Sequence, residues 1–131
     1  MDREKLLDLY KKYELGKTDV YKHQHYVIIT RQGIEKIAAK ENITINYEVV
    51  KCEPNFAVIK AYAHIIDKPD ILIETFGSAL KGANYKDGNC NSWYVAEMAE
   101  KRALSRSVLK LTGFYELGVF GEDESDDFKR K

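Results

Sequence analysis

Proline and cysteine are both scarce in this chain, with two of each among 131 residues. So few prolines leave long stretches free to run as unbroken helices and strands. Cys52 and Cys90 stand 38 positions apart, too few for a disulfide framework and wrongly spaced for a zinc knuckle, so they read as ordinary thiols. No run approaches the ~18 apolar residues of a membrane span, and the opening MDREKLLDLYKKYEL is charged throughout, unlike a leader. No membrane partner and a cytoplasmic location are expected. Signatures of catalysis are missing too. GSALKGAN has two glycines but no Lys-Ser/Thr after the second, and no G-x-S-x-G occurs. His23 and His25 are two apart without further ligands at recognisable spacing, and Glu74 is a lone strand carboxylate of the salt-bridge kind. The expectation is a protein with no catalytic residues, no metal and no cofactor.

Net charge is also lacking: 21 bases stand against 21 acids. The zero conceals an asymmetry, because GEDESDDFKRK at the C-terminus holds five acids and three bases, leaving 16 acids and 18 bases in residues 1–120. The body is mildly basic and the tail acidic. At 44% hydrophobic and 32% charged, with nine tyrosines and five phenylalanines, the composition is that of one folded domain, 1–120, followed by a flexible acidic tail, 121–131.

Local patterns set out an α+β order. Residues 2–13 carry apolar positions Leu6, Leu9, Tyr10 and Tyr13 at helical spacing, with Asp2 as N-cap and Gly16 as stop. YELGKTDVYKHQ reads as a polar connector, HYVIIT as a strand, and RQGIEKIAAKEN as a second helix closed by Asn42. Three β-rich runs, 43–53, 56–67 and 71–80, are joined by Pro54-Asn55 and by KPD, connections short enough for an antiparallel meander. A long helix over 93–112, capped by Ser92 and closed by Gly113, should pack on that meander as a β-β-β-α core with the N-terminal helices beside it. FYELGVF is open between a strand and a hydrophobic strap.

In that long helix, AEKRALSRSVLK places Arg102, Arg106 and Lys110 at steps of four, within about 80° on the helical wheel. Ala99 and Ala103 share the stripe, while Leu104, Val108 and Leu111 fall opposite as the expected core seam. Long cations above small residues would let a phosphate backbone approach closely. A solvated helix face fits the same pattern, and the helix alone leaves both readings open. The preceding loop favours nucleic acid: Lys81, Tyr85 and Lys86, with Trp93 at the helix start, supply cations for phosphates and rings for stacked bases.

ILIETFGSALKGANY, followed by AEMAEKRALSRSVLKLTGFY, resembles the strand-loop-helix hallmark of the single-strand annealing proteins, the superfamily of the eukaryotic Rad-type annealing proteins and the phage Erf and Sak recombinases. YVIITRQGIEKIAAKENITINYEV is similar to the helix and first strand of their core. The resemblance covers roughly residues 26–113. It implies a homo-oligomer that binds single-stranded DNA in a basic groove between sheet and helix, without nucleotide hydrolysis, during replication or recombination. In a phage member the site of action would be the host cytoplasm. By position, Arg102, Arg106 and Lys110 match the family's basic helix, and Lys81 and Lys86 its basic loop. The acidic tail, with Asp126, Asp127 and Phe128, resembles tips that recruit replication or repair proteins. A second reading makes the chain a protein-interaction module whose basic helix docks an acidic partner or a neighbouring subunit.

Overall fold

A computed structural model describes residues 3–82, 88–90 and 93–123. Helix α1 (Arg3–Lys12) leads into a hairpin of β1 (Val20–His23) and β2 (Tyr26–Ile29), then α2 (Arg31–Glu41). The meander β3 (Ile43–Glu53), β4 (Phe56–Ile65), β5 (Lys68–Leu80) precedes the long helix α3 (Val95–Leu111). A 3-10 turn (Tyr115–Leu117) and β6 (Val119–Gly121) end the described chain. The fold is thus α+β, with the antiparallel sheet β3-β4-β5 packed against α3.

Strand β1 lies inside the stretch that reads as a polar connector. VYKH has one aliphatic residue and pairs only because β2 is beside it, the reversal being made at Gln24 with φ 57°. FYELGVF resolves into the 3-10 turn and β6, which runs parallel to β2 and completes a small second sheet of order β1-β2-β6. Strand β5 starts at Lys68, so KPD belongs to the strand and the turn is made before it. The expected caps Asp2 and Ser92 lie outside the described residues.

Local signals explain the ends of α2. Thr30 Oγ1 accepts the Gly33 N–H at 3.2 Å, a side-chain cap worth about 1 kcal/mol. Asn42 adopts φ 55° and donates its N–H to the carbonyls of Ala38 and Ala39, closing the helix in the left-handed conformation that asparagine tolerates. After α3, Thr112 donates its N–H to the Val108 carbonyl and Gly113 turns the chain away at φ 86°.

Two cores share α3. Its C-terminal half sends Val108 and Leu109 into a cluster with Leu6, Tyr13, Ile29, Ile34, Ile37 and Phe114, where the Phe114 ring lies 5.9 Å from Tyr13 and 6.5 Å from Tyr10. Its N-terminal half packs Val95 and Ala99 against Ala57, Ile59, Ala79 and Cys90 of the meander side. Contact with the sheet is intimate: a Cβ on Gly77 would lie 2.0 Å from the Ala99 carbonyl oxygen and 2.5 Å from the Ala103 nitrogen. Beside it Thr75 Oγ1 meets the Ala103 carbonyl at 3.0 Å and Ser107 Oγ at 2.8 Å. Ala99, Ala103 and Ser107 therefore let helix and sheet approach; they are covered by the meander and form no open floor.

Candidate nucleic-acid interface

Arg102 is only 3% exposed. Its guanidinium is spent on backbone carbonyls: Nη1 donates to Ser78 at 2.7 Å, Nη2 to Asn89 at 2.6 Å, and Nε to Asp123 at 3.0 Å. This corrects the reading of Arg102 as a phosphate contact, since a side chain with its donors turned inward has nothing to offer a ligand. Arg106, half-buried, donates Nη1 to the Phe76 carbonyl at 2.8 Å.

The spacing of four has a geometric cause. Helix α3 runs antiparallel to β5, an edge strand of the meander. Four helical residues rise about 6 Å, while carbonyls on one edge of a strand recur every two residues, about 6.8 Å. Arginines at steps of four thus meet edge carbonyls at steps of two, Arg102 over Ser78 and Arg106 over Phe76. The same edge is closed further along, where Leu80 offers its carbonyl to the N–H groups of Asn89 and Cys90 and its N–H to Asn89 Oδ1 at 2.7 Å. The stripe seals a strand edge that would otherwise template pairing. Lys110, the third cation, is exposed, its Nζ 5.3 Å from the centre of the Tyr115 ring.

Past the end of β5 the surface changes character. Lys81 holds its Nζ 5.1 Å from the Trp93 ring centre and 3.3 Å from the Gly82 carbonyl oxygen. Trp93 is 68% exposed, and Tyr94 next to it 71%. Tyr85 and Lys86 of the intervening loop lie outside the described residues. So do Asp126, Asp127 and Phe128. The structure therefore brings together Lys81 and Trp93 of the expected site, adds Tyr94, and takes Arg102 out of it. Tyr94 follows Trp93 directly, but its exposure depends on where α3 begins to pack, which residue type does not reveal.

Scans against family models, curated proteins and solved structures find no match.

The first residues of the acidic segment are seated on the body. Gly121 pairs in β6; Glu122 Oε1 accepts the Arg31 N–H at 3.0 Å; Asp123 lies 3.8 Å from the Arg31 guanidinium and accepts from Ser105 Oγ at 3.4 Å. Burial raises the Asp123 pKa, opposed by the charges of Arg31, Lys101 and Arg102. The other face of the meander, away from α3, carries exposed Leu72, Phe76 and Leu80 around Lys60. Lys60 Nζ lies 5.0 Å from the Tyr62 ring centre, 5.5 Å from that of Phe76, and 3.0 Å from Glu74 Oε1, which raises its pKa chiefly through that hydrogen bond. Tyr62 donates to Glu48 at 2.5 Å, raising the phenol's pKa. This confirms the assignment of Glu74 as a salt-bridge partner. Among the described residues, no three His, Cys, Asp or Glu side chains gather as a metal site, and no helix is long and apolar enough to cross a membrane.

Proposed function

We propose that the protein is a non-catalytic single-stranded nucleic-acid-binding protein, acting with DNA in replication or recombination, and that its contact surface centres on Lys81, Trp93 and Tyr94. The observation that carries this reading is the Lys81–Trp93 pair: a cation held beside a large ring that remains mostly open to solvent. A buried tryptophan would need no such explanation, but one left this exposed gives up its hydrophobic gain, and an indole next to an ammonium suits a stacked base with its phosphate. The sealing role of Arg102 and Arg106 withdraws those two cations from this surface, and Lys110 stands at the opposite end of α3 from Trp93. Binding through phosphates and stacking would be independent of base sequence.

Trp93 is the sole tryptophan, so its fluorescence reports on its own site. The expected outcome is quenching by oligothymidine, stronger than by the matching duplex, that weakens as salt rises. Trp93→Ala, followed by anisotropy of a labelled strand, should cost about 1–3 kcal/mol of affinity, and Lys81→Ala should reduce the salt slope by about 1. No binding at low salt by either readout overturns the proposal. A second reading, a protein-interaction module, is favoured by the exposed Leu72, Phe76 and Leu80 on the open sheet face, an apolar surface better suited to protein than to phosphate.

A further inference from the structure

The two edges of the meander are treated oppositely. Along β5, Arg106, Arg102 and the Asn89–Cys90 segment occupy the outward carbonyls of Phe76, Ser78 and Leu80. Along β3, eleven residues long, every residue from Asn46 to Glu53 is exposed, and among the described residues no hydrogen bond closes the outward edge. The other sheet ends in strands of four and three residues, too short to offer a comparable edge. Helix α3 lies over β4 and β5, leaving Tyr47 39% and Val49 61% exposed on the helix side of β3. An open strand of this length, with β-branched residues at its centre, is an interaction surface.

We infer that β3 pairs antiparallel with β3 of a second copy, joining two meanders into one six-stranded sheet about a two-fold axis. Two-fold pairing uses up the β3 edge of both copies, and further addition would need β5, whose C-terminal half the arginines and the Asn89–Cys90 segment occupy, so the strand-paired assembly closes as a dimer. The sequence of β3 complements itself. A register shift between Val49 and Lys51 inserts one extra residue, so that Glu48 and Lys51 both face away from α3, opposite Lys60 and Val58 of β4. Without the bulge they would point to opposite faces. With it, one symmetric register sets Glu48 of each strand against Lys51 of the other, Val49 against Val50 at the axis, and Tyr47 against Cys52. Two cross-strand ion pairs thus flank a valine centre. Cys52 is an exposed free thiol, consistent with a place at this edge. The pairing is independent of the nucleic-acid reading, which concerns the far edge of the same sheet.

Charge reversal tests the register. Wild-type protein should sediment with the mass of two chains. Glu48→Lys alone and Lys51→Glu alone each place like charges opposite one another twice, and should weaken self-association roughly tenfold or more. Mixing the two variants should restore the dimer, because the heterodimer regains both opposite-charge pairs. Circular dichroism of each variant, and recovery on mixing, separate loss of pairing from loss of fold. In addition, Tyr47→Cys should yield a covalent dimer through the native Cys52 of the other copy under mild oxidation, a readout that leaves Glu48 and Lys51 untouched. A monomeric wild type, a ring of more than two copies, or a dimer unaffected by either reversal together with no cross-link, overturns the proposal.

Discussion

Arg102 and Lys110 stand two turns apart on one stripe of one helix and have opposite fates. The first is enclosed between α3, the edge of β5, Asn89 and Asp123, with three carbonyls on its guanidinium; the second projects into solvent beside Tyr115. The difference arises from their surroundings. Near Arg102 the helix is pressed to the sheet at Gly77, and near Lys110 the helix has passed beyond that contact. A periodic cationic row is thus no single functional surface, and charge spacing reads equally well as a match to carbonyl spacing in the chain's own sheet.

Substitution should separate the two positions widely. Arg102→Ala strands three carbonyls and removes the side chain that ties β5, the Asn89 segment and Asp123 to α3, and is expected to cost about 4 kcal/mol in urea unfolding. Arg102→Lys should recover little, because a single ammonium cannot reproduce the planar fork. A loss of nucleic-acid binding in such variants would consequently report on folding. If Arg102→Ala leaves stability unchanged, the sealing role assigned to the stripe is wrong.

Asp19 carries the comparison to a buried charge of the opposite sign. It is 1% exposed, accepts the Gly16 N–H and the Lys36 ammonium on Oδ2, each at 2.8 Å, and has its pKa lowered, first by the Gly16 bond and then by Lys36. A lowered folded value means that the stabilisation is fully present above the unfolded carboxyl value near 3.8 and is lost as pH falls through the folded value. Asp19→Asn should cost about 1.5 kcal/mol at neutral pH, the worth of one charge-assisted bond, and should flatten the acid limb of a stability–pH profile. An unchanged limb would show that another carboxylate controls it. At the small end, Lys110→Ala should shift stability by about 0.5 kcal/mol or less, a difference read from the same urea transitions; a loss comparable to that of Arg102→Ala would erase the contrast.

Much of the architecture could be read from local pattern. Apolar spacing placed all three helices, Asn42 and Gly113 marked helix ends, and alternation with short turns placed the meander. Strand β1 was hidden because VYKH is polar and its pairing is supplied from outside, by β2. The alternation of β4 was legible: Ile59, Ala61 and Ala63 face α3, while Lys60, Tyr62 and His64 line the other side. The candidate site was legible in part. Lys81 and Trp93, twelve positions apart, meet as ring and cation because β5 and the start of α3 converge.

What the sequence by itself determined is the set of elements, since periodicity, caps and turn residues act over a few positions and need no distant partner. Which side of α3 faces inward was decided only by the tertiary structure. On a helical wheel the leucine and valine seam and the alanine seam are separate candidates; Val108 and Leu109 are buried in one core while Leu104 and Leu111 are half-buried, and Ala99 is buried with Val95 in the other. Small residues become core when a glycine opposite lets two backbones approach, and an arginine becomes internal when edge carbonyls wait within its reach. Both conditions join residues more than twenty positions apart, so no local window of sequence contains them.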